Sequence, residues 1–277
     1  MKLSLGFSTC PNDTFIFDAM VHHRIDTEGL DFELVMGDVE ELNNMAFDAK
    51  LDITKISYHA YAYIADKYKI LNSGSALGKN NGPLLISKRK IYPDEIPFLK
   101  IAIPGKYTTA NLLLRSFYPK IKQTKEYLFS DIEEVVLSDE MDAGLIIHET
   151  RFTYETRGLK KIVDLGEYWE NTTQLPVPLG GIIVNRQLSD DVHSKIDRVL
   201  RKSIDFAFDN PTAGLEFIKK YAQEMSQEVM FKHIDLYVND FTKQLGPEGK
   251  KSIEFLLNKA VDLKFVEDIP ADIFIDV

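Results

Sequence analysis

His148 is the residue in this sequence best placed to move a proton. It follows Gly144-Leu-Ile-Ile directly, so its imidazole lies where a buried strand emerges at its carboxyl end. A histidine with an ordinary pKa of ~6.5 is largely neutral near pH 7 and can take a proton and return it. The competing reading, a structural histidine hydrogen-bonded at a strand end, stays open on these grounds alone. Glu149 is adjacent, but neighbouring strand residues point to opposite faces, and it receives no role.

Three other groups could hold a ligand. The segment Lys106-Tyr-Thr-Thr-Ala-Asn111 follows Ile-Pro-Gly and opens an apolar helix, where free N–H groups, the Thr108 and Thr109 hydroxyls and the positive helix end suit a carboxylate or phosphate. Thr108 or Thr109 could equally be a plain N-cap, and the two roles are compatible. Lys55 and Ser57 share one face of a short strand that also contains Ile56. A solvated fate is the commoner one for the lysine, so Ser57 is the stronger candidate. Ser8, Cys10, Asn12 and Asp13 form a polar cluster between a strand and a helix. Ser8 and Asn12 are its candidate substrate-binding residues, while Asn12 or Asp13 could cap a helix whose first turn holds Thr14. Cys10 has no activating base near it in sequence and reads as a buried thiol rather than a nucleophile. His22, His23, His59, His193 and His233 lack metal-site spacing, and neither a G-x-G-x-x-G nor a Walker A motif occurs, so no metal and no cofactor are expected.

The elements that must position these groups alternate. Strand patterns at Leu3–Phe7, Leu30–Val35 and Ile53–Ile56 are separated by helical patterns from about Thr14 and over Val39–Lys50, a βαβαβ order that implies parallel sheet with ligands at the carboxyl ends of strands. The order recurs. Leu5-Gly-Phe-Ser-Thr-Cys-Pro-Asn-Asp-Thr14 corresponds to Ile101-Ala-Ile-Pro-Gly-Lys-Tyr-Thr-Thr-Ala110, and Asp52-Ile-Thr-Lys-Ile-Ser57 to Asp142-Ala-Gly-Leu-Ile-Ile-His148. Gly82–Arg89 and Pro178–Arg186 read as a pair of crossing strands. The expected architecture is α/β and two-lobed: residues 1–92 with 180–277 form a large discontinuous lobe, 93–179 form an inserted smaller lobe, and the ligand occupies the cleft between them. Helical periodicity over Val192–Phe208, Pro211–Tyr221 and Lys250–Val261 makes the C-terminal third a buttress of the first lobe.

The 277 residues carry 33 Lys and Arg against 43 Asp and Glu, a formal charge of -10 that repels nucleic acid and anionic membranes. A small anionic ligand must therefore be captured by local groups. No apolar stretch approaches the ~20 residues that cross a bilayer, and the N-terminal residues have no signal-peptide pattern. The single cysteine excludes an internal disulfide and suits a reducing compartment, so the expected location is the cytoplasm. The sequence fixes no oligomeric state.

Gly6-Phe-Ser-Thr-Cys-Pro-Asn-Asp-Thr-Phe-Ile-Phe17, Asp52–Ser57 and Gly144-Leu-Ile-Ile-His-Glu-Thr-Arg-Phe-Thr-Tyr154 together resemble the 1,4-dihydroxy-6-naphthoate synthase family of the futalosine route to menaquinone. Thr9 stands where many members have proline and Thr150 where glycine is expected, and neither change removes a reactive group. The resemblance implies a fold like that of type II periplasmic solute-binding proteins. It also implies a lyase reaction that converts cyclic dehypoxanthinyl futalosine to 1,4-dihydroxy-6-naphthoate with release of a sugar-derived fragment. It makes His148 the proton acceptor, with Thr108 and Thr109 holding substrate across from Lys55, Ile56 and Ser57. The alternatives are a chorismate dehydratase of the same pathway, against which the Ile-Ile-His-Glu segment argues, and a non-catalytic cytoplasmic protein that binds a small anion.

Overall fold

Apolar runs at two separate places in the chain nucleate two sheets. The computed structural model describes residues 1–222 and 226–276, and it divides into one unit of Met1–Gly78 with Pro178–Val277 and another of Lys79–Val177. The first unit opens with β1 (Lys2–Ser8), α1 (Pro11–Val21), β2 (Asp31–Gly37), α2 (Val39–Phe47), β3 (Ile53–Ser57), α3 (Tyr58–Ala62), β4 (Tyr68–Ile70) and β5 (Ala76–Gly78). The second contains β6 (Leu84–Ser87), β7 (Lys100–Ile103), α4 (Thr109–Phe117), β8 (Gln123–Glu126), α5 (Ile132–Leu137), β9 (Ala143–Ile146), β10 (Lys160–Asp164) and α6 (Leu165–Thr173). Strand β11 (Val177–Asn185) returns the chain to the first unit, where α7 (Asp190–Asp209), α8 (Leu215–Tyr221), α9 (Gln227–Tyr237), α10 (Asp240–Lys243) and α11 (Gly246–Asp262) complete it.

The two sheets share a plan. In the first unit the order is β2-β1-β3-β11-β4, with β5 also on β11, and in the second it is β8-β7-β9-β6-β10 when read from the parallel edge. In each, three parallel strands are followed by antiparallel ones. The registers coincide with the internal correspondence in the sequence: Leu5 pairs with Ile53 as Ile101 pairs with Ala143. Even an edge contact repeats, since the Asp52 carboxylate accepts from the Ser4 N–H as the Asp142 carboxylate accepts from the Lys100 N–H, both at 2.8 Å.

Helix α1 is surrounded by protein on nearly every side, so its polar residues Asn12, Asp13, Thr14 and Asp18 are enclosed along with its apolar ones. Residues Pro11 to Met20 are all buried, and the helix packs against α7, α8 and α9. Phe17 stacks on Phe7 of β1 with ring centroids 4.6 Å apart. Burial of each such side chain contributes about 1.5–3 kcal/mol. The first-unit core gathers Leu5, Phe7, Ile16, Phe17, Ile182, Val199 and Ile204, and a second, smaller core joins Leu84, Ile86, Ala102, Ile132 and Ile146.

Three expectations are corrected. Gly82–Arg89 and Pro178–Arg186 are not partners: β6 pairs with β9 and β10, whereas β11 pairs with β3 and β4. Hydrogen bonding of β6 into the second sheet moves residues 79–92 into that unit, so the division falls at 78/79 rather than 92/93. Helix α1 also begins at Pro11, three residues before the expected start, because proline fits the first helical position, where no N–H is needed.

Candidate functional site

In the first unit the candidate residues converge on one carboxylate that sequence reasoning treated only as a possible cap. Cys10, not Asn12 or Asp13, occupies the N-cap position of α1, and Asp13 sits in the first turn with its side chain 1% exposed. Its Oδ2 accepts from the Ser8 hydroxyl at 2.7 Å and the Ser8 N–H at 3.2 Å; its Oδ1 accepts from the Asn12 amide at 2.8 Å and from Lys55 Nζ at 2.7 Å. Lys55 is therefore not the solvated lysine that base rates favour: it is buried and ion-paired. Asn12 in turn meets His233 of α9 through its carbonyl oxygen, 3.1 Å from Nε2. Placing a lysine and an aspartate in the interior is costly unless each is paired and further hydrogen-bonded, and this cluster meets both conditions.

Ser57 closes β3. Its N–H donates to Asn43 Oδ1 at 2.9 Å and its hydroxyl accepts from Asn43 Nδ2 at 3.3 Å, so α2 fixes its rotamer. Ile56 is fully buried, and its side chain belongs to the core. Ser8 and Ser57 both end parallel strands, where α/β folds bind ligands.

In the second unit Thr108 is the N-cap of α4, accepting from the Asn111 N–H at 3.4 Å and donating to the Gly105 carbonyl at 2.9 Å. Thr108 and Thr109 are both 3% exposed. Asn111, which the sequence reading named only as the end of its motif, is 5% exposed; its amide donates to the Lys106 carbonyl at 2.8 Å, while its own carbonyl oxygen is buried with no partner among the described residues. One buried acceptor thus remains at a helix start already bearing two hydroxyls.

His148 stands two residues past β9, at the start of a 3-10 turn (His148–Phe152), with φ of 59°. That left-handed conformation costs a residue with a side chain about 1–2 kcal/mol. Exposed turn residues such as His23 and Asn80 share it, so the conformation alone marks nothing. What distinguishes His148 is its half-buried imidazole, with Phe129 set edge-on at 4.9 Å. The turn is tied down from both ends. Thr150 Oγ1 donates to the Ile147 carbonyl at 2.6 Å, and Arg151 donates to the Gly82 carbonyl and pairs with Asp164 at 3.2 Å. Asp164 also caps α6 by accepting from the Gly166 and Glu167 N–H groups. Removing the guanidinium frees the turn, so Arg151→Leu should lower turnover by about 10- to 100-fold, the scale of a small misplacement of a reacting group. Steady-state rates equal to the unaltered protein would show that the turn holds itself.

The sheet registers set the two corresponding strand ends side by side. Counting from the paired residues Ile53 and Ala143, the position of His148 corresponds to Tyr58. Tyr58 is fully buried, its hydroxyl is 2.7 Å from that of Ser75, and burial pushes its pKa far above the ordinary phenol value. A phenol held that firmly protonated cannot serve as a base near neutrality. Among the described residues no group of three or more His, Cys, Asp and Glu side chains could hold a metal ion, and no helix is long and apolar enough to cross a membrane.

Comparison with known proteins agrees in sequence and in structure. Residues 3–262 match the family described as menaquinone biosynthesis. The chain is 41% identical to 1,4-dihydroxy-6-naphthoate synthase of Thermus thermophilus, covering 99% of each chain, and 38% identical to the enzyme of that name from Streptomyces coelicolor, covering 93% and 92%. A crystal structure of a protein from Archaeoglobus fulgidus superposes with a TM-score of 0.90 at 37% identity, over 96% of this chain and 98% of that one. The alkanesulfonate-binding protein of Xanthomonas axonopodis superposes with a TM-score of 0.71 at 10% identity, over 99% and 96%, which shows a shared periplasmic-binding-protein fold and nothing more.

Proposed function

Because this chain belongs to the menaquinone-biosynthesis family that includes the 1,4-dihydroxy-6-naphthoate synthases, we propose that it is a lyase converting cyclic dehypoxanthinyl futalosine to 1,4-dihydroxy-6-naphthoate, with His148 as general base. The observation that carries the assignment is the half-buried imidazole at the end of β9, pinned by Phe129 and the Arg151-anchored turn, set against the inert Tyr58 at the corresponding place in the other unit.

Thr108 and Thr109 hold substrate through their hydroxyls and the start of α4. In the first unit Ser8, Asn12, Lys55 and Ser57, with the backbone of Ile56, present a compact polar set whose geometry is already fixed by Asp13 and Asn43. The Lys55 ammonium, paired with Asp13, still has donor capacity for a polar group of the substrate, since an ammonium carries three N–H donors. The imidazole accepts a proton of the substrate, the bond to the sugar-derived fragment breaks as that fragment departs, and aromatisation of the ring drives the elimination. Binding geometry and proton transfer are the two sources of rate, the latter supplying about 100- to 10,000-fold. A site of action in the cytoplasm suits a biosynthetic enzyme with a single free thiol.

Incubation of the purified protein with cyclic dehypoxanthinyl futalosine should yield 1,4-dihydroxy-6-naphthoate, detectable by chromatography and mass. Turnover of chorismate alone would replace this reading with the dehydratase, and ligand binding without turnover of either compound would replace it with a binding protein.

A further inference from the structure

The segment that enters the second unit contains a buried amide that the protein itself does not use. Asn81 is 1% exposed, and neither its Nδ2 nor its Oδ1 has a hydrogen-bond partner among the described residues. Buried polar groups are almost always paired, because each lost its bonds to water on folding. Asn43 is spent on Ser57 and Glu40, and Asn12 on Asp13 and His233; Asn72 and Asn111 each leave one amide atom unpaired among the described residues, whereas Asn81 leaves both. Asn81 is also next in sequence to Gly82, whose carbonyl receives Arg151 from the turn that begins at His148. Gly82 is itself confined, since a Cβ there would overlap the backbone of Gly166. The main chain beside Asn81 is therefore tied to the histidine-bearing turn through Gly82 and Arg151.

We propose that Asn81 is a substrate-contacting, specificity-determining residue whose amide is completed by a hydroxyl group of the substrate. The chemistry selects the class of group. An amide offers both a donor and an acceptor, and a hydroxyl offers both in return; a carboxylate only accepts and would leave the amide oxygen unpaired. Asn81 therefore takes a hydroxyl of the sugar-derived part rather than the substrate carboxylate. A site that presents buried hydrogen-bonding groups rejects analogues lacking the matching hydroxyl far more strongly than an apolar pocket can. This assignment rests on the reaction proposed above.

The test uses Asn81→Leu and Asn81→Ala in the full chain, with cyclic dehypoxanthinyl futalosine as substrate and thermal melting as the control for folding. Leucine removes the unsatisfied amide at similar volume, so the ligand-free Tm should hold or rise while kcat/KM falls at least tenfold, mainly through KM, and the substrate-induced rise in Tm shrinks. A group with only a local structural role would not produce that opposition between stability and activity. If the leucine variant fails to fold, the alanine variant decides by the same tenfold criterion. A loss smaller than tenfold in a folded variant overturns the assignment. Absence of turnover by the unaltered protein instead sinks the reading of the reaction, and this assignment with it.

Discussion

Replacing His148 with alanine should lower kcat by about 100- to 10,000-fold, the usual contribution of a positioned general base, while the protein still folds and still gains Tm on adding substrate. The imidazole lies at the start of a turn anchored independently by Thr150 and Arg151. Truncation should therefore remove the proton acceptor and leave the scaffold. His148→Asn is the better control for backbone effects, because asparagine accepts the left-handed conformation that this position adopts at φ of 59°. Full turnover by His148→Ala would end the general-base assignment, and loss of the substrate-induced Tm shift would make the residue a binding group instead.

Asp13→Ala should be the most destabilising single change at the candidate site. Its carboxylate is the common acceptor for Ser8, Asn12 and Lys55, so truncation strands a buried ammonium group and releases two polar side chains. Breaking one side of a buried ion pair costs about 3–5 kcal/mol, because the remaining charge keeps its desolvation penalty without its partner. For a chain of this size that corresponds to a fall in Tm on the order of 10 °C. Removing the stranded charge should recover much of the loss, so Asp13→Ala with Lys55→Met should be more stable than Asp13→Ala alone. A melting curve within about 2 °C of the unaltered protein would show that the cluster is wet and relaxed rather than a buried anchor.

The amino-acid pattern carried the framework of the site a long way. Strand ends at Ser8, Ser57 and Ile146, the helix start at Thr108 and the repeated order of elements are local properties, because each follows from apolar spacing and from cap and turn chemistry within about ten residues. The aligned pairs Leu5 with Ile101 and Asp52 with Asp142 recur in the strand registers because both segments solve the same burial problem. The lateral neighbour of β6 was not legible. A four-residue apolar strand carries no mark of which sheet will accept it, and it joined β9 and β10 rather than β11.

What the sequence by itself determined is the identity and order of the reactive groups: a histidine after one buried strand, hydroxyls at strand and helix ends, and a local cation in an acidic chain. What only the tertiary structure decided is how they are held. Lys55 reaches Asp13 across 42 positions in the chain, and Asn12 meets His233 across 221. Phe129 comes edge-on to His148, and the Asn81 amide is buried with no partner among the described residues. Such pairings depend on which distant elements share a core, because burial sets the cost of every unmatched charge and amide, and sequence spacing carries no record of that proximity.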